Sequence, residues 1–177
     1  MPAIIPSDEL LSACRGGDRE AFARLFDLCR DRVYAVALGI CGDRAAAADV
    51  SQEVFVKLLT RLPQFDGRAS FSTWLYRIAV NAAVDHQRAK RRVVPLPETL
   101  EDSRRVEEDY ARREQRRRVE RAVLALPPRL RAPLVLRHVE GLAYGEIAAA
   151  LGISAGTVAS RLSRAHARLA RELTGAV

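Results

Sequence analysis

One corner near the carboxyl end of the chain constrains its fold more than any other feature. Residues 144–151 and 154–173 both carry apolar residues at helical spacing, and Gly152-Ile153 separates them. A helix often ends on a left-handed residue, where glycine is favoured because a Cβ would be strained. Ser154 can cap the next helix by accepting hydrogen bonds from its free N–H groups. We therefore predict two helices joined by a tight turn, with Ile147, Ala148 and Leu151 facing inward and Ile153 filling the corner.

The second helix of this pair carries an apolar stripe and a basic stripe. The apolar stripe consists of Val158, Leu162, Ala165 and Leu169, and the basic stripe of Arg161, Arg164, Arg168 and Arg171. On a helical wheel the stripes are centred roughly 110° apart, so one can face the protein while the other enters a major groove. Thr157 and Ser160 share the exposed side near the helix start, where base edges are usually contacted. We predict a DNA-binding helix-turn-helix; a helical hairpin with a solvated arginine face is the alternative.

Composition favours helices along the rest of the chain. Ala, Leu, Val and Arg abound among the 177 residues and aromatic residues make up only 6%, so strong helix formers dominate. The formal net charge of +7 is uneven, because residues 112–177 carry thirteen Arg and five Glu. Such a basic module suggests a polyanionic partner, although an ordinary solvated surface gives the same count. We predict an all-α protein.

An acidic stretch with two prolines divides the chain. Residues 93–111 carry a net charge of −4 and no sustained apolar stripe, which is typical of a flexible linker. We predict two small helical domains, over residues 1–92 and 112–177, joined by this acidic linker.

Four helices are predicted in the first domain. A short helix follows Ser7 or Asp8, a second follows Asp18, a third covers about 44–62 and ends at Pro63, and a fourth runs from a Ser70 cap to about 91. The second helix carries an apolar stripe of Phe22, Leu25, Phe26, Cys29, Val33 and Val36 or Ala37. In the second domain we predict helices over about 113–126, 129–139, 144–151 and 154–173.

The residues that usually carry catalysis or bind metals are scattered. Cys14, Cys29 and Cys41 form no CxxC pair, and we interpret them as small apolar residues in helices, with a redox-sensing thiol as the alternative. His86, His138 and His166 have no metal-ligand neighbour in the sequence. No phosphate-binding glycine loop is visible. We therefore expect no enzyme, cofactor or metal.

The ends and the hydropathy of the chain suggest a location. No apolar run approaches the ~20 residues that span a bilayer, and the amino terminus lacks a basic region before an apolar stretch. We expect a cytoplasmic protein without membrane insertion.

Three segments in order resemble the extracytoplasmic-function (ECF, group IV) sigma factors of the sigma-70 family. After Leu126-Pro127, the segments LRAPLVLRHVEGLAYGEIA and GTVASRLSRA resemble region 4. ADVSQEVFVKLL resembles the region 2 helix that binds the polymerase clamp, and FDGRASFSTWLYRIAVNAAVDHQR resembles the segment that melts and recognises the −10 element. The resemblance runs from about residue 8 to 173 and implies an alternative sigma factor that directs promoter-specific transcription initiation, typically in a stress response.

The resemblance assigns roles by position. It implies that the clamp of core RNA polymerase is bound by Asp49, Gln52, Glu53 and Phe55. It implies that the −10 element is bound by Phe65, Asp66, Gly67, Arg68, Ala69, Ser70, Phe71, Trp74, Arg77, Asn81 and Arg88. It implies −35 contacts from Thr157, Ser160, Arg161, Arg164 and Arg168. The residues alone leave Trp74 open between a core position and a stacking platform, because it shares an apolar face with Phe71, Leu75 and Ile78.

The resemblance also implies partners and leaves alternatives. Core RNA polymerase, through its clamp and flap, promoter DNA and an anti-sigma factor are the expected partners. Ala159, Ser163 and His166 depart from the residues common in the family. The resemblance therefore does not determine which base sequence this chain recognises at the −35 element. A repressor or activator that binds duplex DNA without polymerase is the main alternative, and a helical protein-interaction module is a third.

Overall fold

The computed structural model describes residues 4–91 and 110–174. Within these residues the regular structure is eight α-helices and one short 3₁₀ helix, Leu62–Gln64. The α-helices are α1 Asp8–Arg15, α2 Arg19–Cys41, α3 Arg44–Arg61, α4 Phe71–Arg91, α5 Tyr110–Ala125, α6 Pro128–His138, α7 Tyr144–Leu151 and α8 Ala155–Thr174. The all-α prediction is confirmed. The predicted linker lies outside the described residues, apart from the first residues of α5.

Short polar side chains begin the helices of the first half, as expected. Ser7 Oγ accepts from the Leu10 N–H at 3.2 Å, Asp18 Oδ1 from the Glu20 N–H at 2.8 Å, and Ser70 Oγ from the Thr73 N–H at 3.2 Å. Each such cap contributes about 1 kcal/mol. These local bonds fix where α1, α2 and α4 start, and so fix the loop between the 3₁₀ helix and α4.

Helices α2, α3 and α4 pack together around an apolar core. On α2 the buried positions include Leu25, Cys29 and Val33. Phe26 was predicted to join them, and this is wrong: its side chain is 38% exposed. Phe26 follows Leu25 by one residue and is therefore rotated by about 100° around the helix, which places its ring at the surface, 4.4 Å from that of Phe55.

The end of α3 also differs from its prediction. The α-helix ends at Arg61, and Pro63 lies inside the 3₁₀ helix rather than after an α-helix. Proline is tolerated there because the first turn of a helix needs no bond from its nitrogen. The 3₁₀ helix delivers the chain to Phe65, where the loop to α4 begins.

Helices α6, α7 and α8 form the core of the second half, and α5 packs on α8. Leu134, Ile147, Val158 and Leu162 are buried there. The buried core continues between the two halves, because α6 packs on α2 and α7 on α4. Gly39 of α2 permits a close approach: a Cβ at this position would lie 3.0 Å from both Val135 γ-carbons.

This packing adds a buried position to those predicted for α7. Ile147 is buried, and Ala148 and Leu151 are partly buried and pack against the core as expected. Ala150, which was not predicted to be buried, is 1% exposed. The sequence pattern assumed one buried face, but α7 lies between α8 and α4 and buries a second. No helix within the described residues is long and apolar enough to cross a membrane.

Candidate nucleic-acid interface

The turn between α7 and α8 has the predicted geometry. Gly152 adopts φ 64°, a left-handed conformation, and the Ile153 N–H donates to the Ala148 carbonyl at 3.1 Å. Ser154 Oγ accepts from the Thr157 N–H at 3.1 Å. Ile153 packs against the core as expected. The turn therefore fixes the angle at which α8 leaves the protein surface.

Helix α8 separates its apolar and basic stripes as predicted. Val158, Leu162 and Ala165 are buried, while Arg164 and Arg168 are exposed. The Arg164 guanidinium donates to the Ser160 hydroxyl and carbonyl, both at 3.2 Å. An exposed cation held in this way can meet a nucleic acid without a large loss of side-chain freedom.

Two predicted contact residues at the start of α8 are less exposed. Arg161 is partly buried, and Thr157 Oγ1 lies 2.8 Å from Ser154 Oγ. The Thr157 hydroxyl thus belongs to the helix cap, a local role that the stripe pattern could not reveal. Its methyl group and the neighbouring Ser160 hydroxyl still lie at the amino-terminal end of the basic stripe.

The loop between the 3₁₀ helix and α4 exposes one arginine. Gly67 adopts φ 74°, and Asp66 accepts from the Arg68 N–H at 3.1 Å and pairs with its guanidinium at 3.1 Å. The Arg68 side chain is 90% exposed. Ala69 is partly buried and Ser70 caps α4. The loop therefore presents a cation on a turn that is fixed at both ends.

Three aromatic rings support this loop. The Phe65 ring lies 5.8 Å from that of Phe71 and 5.1 Å from that of Trp74, measured between centroids. Phe65 is 9% and Phe71 6% exposed, while Trp74 is partly exposed. Phe65 and Phe71 consequently support the loop rather than present a surface. Trp74 fits both the core interpretation and the stacking interpretation, because it packs on Phe65 and Phe71 and is partly exposed.

Helix α4 carries the remaining predicted −10 residues. Arg77, Asn81 and Arg88 are exposed. Arg77 Nη2 donates to the Ala149 carbonyl of α7 at 2.5 Å, and Arg88 lies 3.7 Å from the Asp85 carboxylate. The structure thus places the loop and these side chains on one helix and its preceding turn, with Arg77 turned toward the second half.

A groove of about 650 Å³ runs between α2 and α3. Apolar side chains of Phe26, Phe55 and Val56 line it, and Val56 is 62% exposed. Of the predicted polymerase contacts, Asp49, Gln52 and Glu53 are exposed and Phe55 is 8% exposed. Glu53 pairs with Lys57 one turn away. The groove therefore offers an apolar floor with a polar rim.

Sequence reasoning missed one groove residue, Val56, and a second exposed apolar residue on the same helix, Leu59, for which a signal existed. Val56 and Leu59 are apolar but lie off the buried stripe of Val50, Val54 and Leu58, and both are more than half exposed. Apolar side chains on the exposed side of an otherwise amphipathic helix indicate a binding surface.

A buried polar cluster joins the two halves. The Tyr76 hydroxyl of α4 donates to Glu140 Oε2 at 2.5 Å, and Arg32 Nη1 of α2 lies 3.5 Å from the same oxygen. Glu140 is 4% and Tyr76 1% exposed. Burial, and then the bond to Glu140, raise the pKa of Tyr76 above its usual range. Tyr76 therefore stays protonated at neutral pH and remains a donor.

A second polar contact between the halves was also missed. Arg131 of α6 is 2% exposed and donates to the Ile40 carbonyl at 2.5 Å and to the Leu126 carbonyl at 2.8 Å. The first bond reaches the end of α2. No pattern in the sequence distinguishes Arg131 or Glu140 from surface charges, because their partners are distant in the chain.

The cysteines support the apolar interpretation. Cys14 and Cys29 are buried, and Cys41 is partly buried at the end of α2. Burial raises the pKa of Cys29 to about 12 and that of Cys41 to about 11. These thiols are protonated at neutral pH, which makes them poor nucleophiles.

The histidines are less scattered than the sequence suggests. His138 Nε2 and His166 Nε2 lie 3.1 Å apart, because the end of α6 packs on the middle of α8. Burial, and then the neighbouring His166, lower the pKa of His138. Among the residues that the structure describes, no three His, Cys, Asp or Glu side chains form a metal-binding group.

Two family models match the chain. The model of Sigma-70 region 2 matches residues 25–93, and that of Sigma-70, region 4 matches residues 116–169. The RNA polymerase sigma-H factor of Pseudomonas aeruginosa is 34% identical in an alignment of 178 positions that covers 93% of this chain and 92% of that protein. The ECF RNA polymerase sigma-E factor of Escherichia coli K12 is 34% identical in an alignment of 172 positions that covers 89% of this chain and 88% of that protein.

A solved structure extends the likeness to three dimensions. CnrH, in complex with the cytosolic domain of CnrY, is 26% identical and matches with a TM-score of 0.72 over 96% of this chain and 97% of that chain. Both family models lie in this chain in the order of sigma regions 2 and 4. The chain therefore belongs to the sigma-70 family, as an ECF RNA polymerase sigma factor, the class of protein that directs promoter-specific transcription initiation.

Proposed function

We propose that this sigma factor recognises both promoter elements itself while bound to the clamp and flap of core RNA polymerase. Residues 1–92 bind the clamp and the −10 element, and residues 112–177 bind the −35 element. One observation carries the proposal: the chain combines a capped helix-turn-helix bearing exposed arginines with a separate loop-and-helix surface that exposes Arg68 and Asn81. A repressor that binds duplex DNA needs only the first of these surfaces.

Recognition of the −35 element is assigned to the amino-terminal part of α8. Arg164 is exposed and oriented by Ser160, and an arginine in the major groove can donate two parallel bonds to the O6 and N7 of guanine. Arg161 lies one turn earlier and Thr157 two turns earlier. Arg168 lies one turn later, where a phosphate contact is more suitable.

Recognition of the −10 element is assigned to the loop and the exposed face of α4. The Asn81 amide can donate and accept at once, which suits the Watson–Crick edge of a base. That edge is accessible only in a single strand, so recognition and melting are coupled. The accessible part of the Trp74 ring offers a stacking surface, and Arg68 and Arg88 are cations for the backbone.

The α2–α3 groove is assigned to core polymerase. A helix of the partner can bury an apolar face against Phe55 and Val56 while its polar side chains meet Gln52 in the groove. Asp49 and Glu53 are exposed on the same helix, α3, beside the groove. An anti-sigma factor is a further partner that the family resemblance implies, and its release fits a stress response. CnrH likewise was solved in complex with a second protein, the cytosolic domain of CnrY.

The polymerase supplies the chemistry of RNA synthesis. The chain therefore acts without catalytic residues or a cofactor of its own, and it acts in the cytoplasm, where the polymerase and the chromosome meet.

Reconstituted holoenzyme tests the proposal. The full chain is mixed with core polymerase and a promoter library, and transcripts are sequenced. We expect a two-element consensus with holoenzyme, and weak, salt-sensitive DNA binding by the chain alone. Val56→Asp should abolish co-purification with core, because it places a charge in the groove. Val139→Asp, at a site 41% exposed in the second half, is the control and should not.

Tight, specific promoter binding by the isolated chain, to which core polymerase adds nothing, would favour the repressor or activator. Core binding that survives Val56→Asp would exclude the groove as the polymerase site.

A further inference from the structure

Arg15, the last residue of α1, contacts the start of the loop assigned to the −10 element. Its Nη2 donates to the Phe65 carbonyl at 2.8 Å, and its guanidinium carbon lies 5.9 Å from the centre of the Phe65 ring. One side chain thus restrains both the backbone and the ring of a residue fifty positions away. Hydrogen bonds from a charged donor are stronger than neutral ones.

Arg15 is itself held in place by α1. Ser7 caps this helix, and Leu11 and Cys14 anchor it in the core at 5% and 6% exposure. The sequence identified α1 only as a short helix without a role. Its packing on the 3₁₀ helix Leu62–Gln64 brings its last side chain to the point where the loop begins.

The Phe65 position controls the loop through the aromatic cluster. The Phe65 ring packs on Phe71 and Trp74, which begin α4. The two ends of the loop, Phe65 and Phe71, are therefore in contact, and residues 66–70 between them must follow. A shift of Phe65 would move Arg68 relative to Asn81. The distance between these two side chains determines which conformation of a single DNA strand the surface fits.

We propose that Arg15 is a positioning residue for recognition of the −10 element. It acts through Phe65, which it holds against the aromatic cluster, and it does not touch DNA. The proposal rests on the function proposed above for residues 66–70 and Asn81. A direct phosphate contact by the arginine is the competing explanation, and it makes a different prediction about salt.

Trp74, the only tryptophan of the chain, gives a readout that does not depend on DNA. The fluorescence and near-ultraviolet circular dichroism of the full chain are compared for wild type, Arg15→Gln and Arg19→Gln. Arg19 is exposed at the start of α2, so its variant is a matched control for the loss of one charge. We expect Arg15→Gln to shift the Trp74 spectrum and Arg19→Gln to leave it unchanged.

The promoter experiment uses holoenzyme on templates with a mismatched −10 bubble and all substitutions of the non-template strand. We expect Arg15→Gln to reduce the preference for the best −10 sequence by about two- to tenfold, the range of one hydrogen bond. Arg15→Lys, which keeps a charged donor, should recover part of the preference. Core binding, −35 binding and the salt dependence should match wild type.

Each other outcome separates this proposal from the function on which it rests. If Arg15→Gln keeps the wild-type preference or spectrum while Asn81→Ala alters the preference, the positioning role is overturned and the proposed function stands. If neither variant alters the preference, the −10 assignment fails. If Arg15→Gln weakens binding to all templates alike and lowers the salt slope by about one, the arginine contacts phosphate and the positioning role is overturned.

Far-ultraviolet circular dichroism monitors folding of the variants. Should Arg15→Gln lose helicity, Arg15→Met, which keeps the aliphatic stem, replaces it.

Discussion

Asn81 and Arg77 lie one turn apart on α4, yet they meet different surroundings. Asn81 is exposed, whereas the Arg77 guanidinium donates to the Ala149 carbonyl of α7 at 2.5 Å. Arg77 must break its hydrogen bond to the Ala149 carbonyl before it can contact a DNA strand. The Asn81 amide is already accessible in the structure. At the scale of single residues, a substitution of Asn81 therefore tests base recognition with less effect on packing than a substitution of Arg77.

We expect Asn81→Ala to leave stability within about 0.5 kcal/mol of wild type, as for other exposed positions. On bubble templates the discrimination among −10 bases should fall by about 1–3 kcal/mol, the size of one good amide–base contact. A premelted bubble should restore melting but not base preference. Gln64→Ala, which removes an exposed amide just before the loop, is the control. An unchanged ranking of −10 substitutions would contradict the assignment.

At the scale of helices and turns, local bonds account for what could be predicted from sequence. The bounds of α7, the Ser154 cap and the Gly152 turn follow from residues within four positions of one another, so the sequence pattern contains them. The contacts of Arg15 with Phe65 and of Arg131 with Ile40 join residues 50 and 91 positions apart. Nothing in a local pattern encodes such pairs, because they depend on how the helices pack.

The same limit applies to side chains on predicted helices. The burial of Ala150 was not predicted because the period of a helix gives its faces but not how many neighbours each face meets. The basic stripe of α8 was predicted because it is a property of one helix. The α2–α3 groove was not, because two helices form it.

Two glycines in the helix-turn-helix should respond to alanine in opposite directions. A Cβ on Gly152 or on Gly145 would meet no atom within 4 Å, so neither substitution creates a clash. Gly152 is left-handed at φ 64°, and alanine there should cost about 1–2 kcal/mol. Gly145 lies inside α7, and alanine there should stabilise the protein by about 0.4–1 kcal/mol.

Urea unfolding of the full-length variants measures both effects, and each variant is the control for the other. If Gly152→Ala were as stable as Gly145→Ala, the turn would not require a left-handed residue, and the predicted tight turn between α7 and α8 would lose its physical basis.

At the scale of the whole molecule, the two halves are too close to contact both promoter elements at once. The positions −35 and −10 differ by 25 base pairs, or roughly 85 Å of duplex at 3.4 Å per pair. A compact chain of 177 residues has a radius of gyration of about 16 Å. The predicted linker of residues 93–111 could reach roughly 60 Å at full extension. Promoter recognition therefore requires that α6 and α7 leave α2 and α4.

We expect the buried cluster of Arg32, Tyr76 and Glu140 to favour this closed arrangement over an open one. In the closed arrangement Glu140 accepts from the Tyr76 hydroxyl and lies 3.5 Å from Arg32. Removal of the carboxylate leaves the Tyr76 hydroxyl buried without its acceptor, which costs about 1–3 kcal/mol. The open arrangement carries no such cost, because water replaces the missing partner. Glu140→Ala should therefore shift the equilibrium toward the open arrangement by about fivefold to a hundredfold.

Small-angle X-ray scattering of the full chain measures this shift as an increase in the radius of gyration. Glu172→Ala removes the same charge from an exposed position on α8 and should leave the radius unchanged. On core polymerase both variants should give equal open-complex yields, because the proposed binding to clamp and flap would already hold the halves apart. An unchanged radius for Glu140→Ala, with α-helicity intact, would mean that the apolar contact of Val135 with Gly39 and the Arg131 bonds hold the halves together without the buried carboxylate.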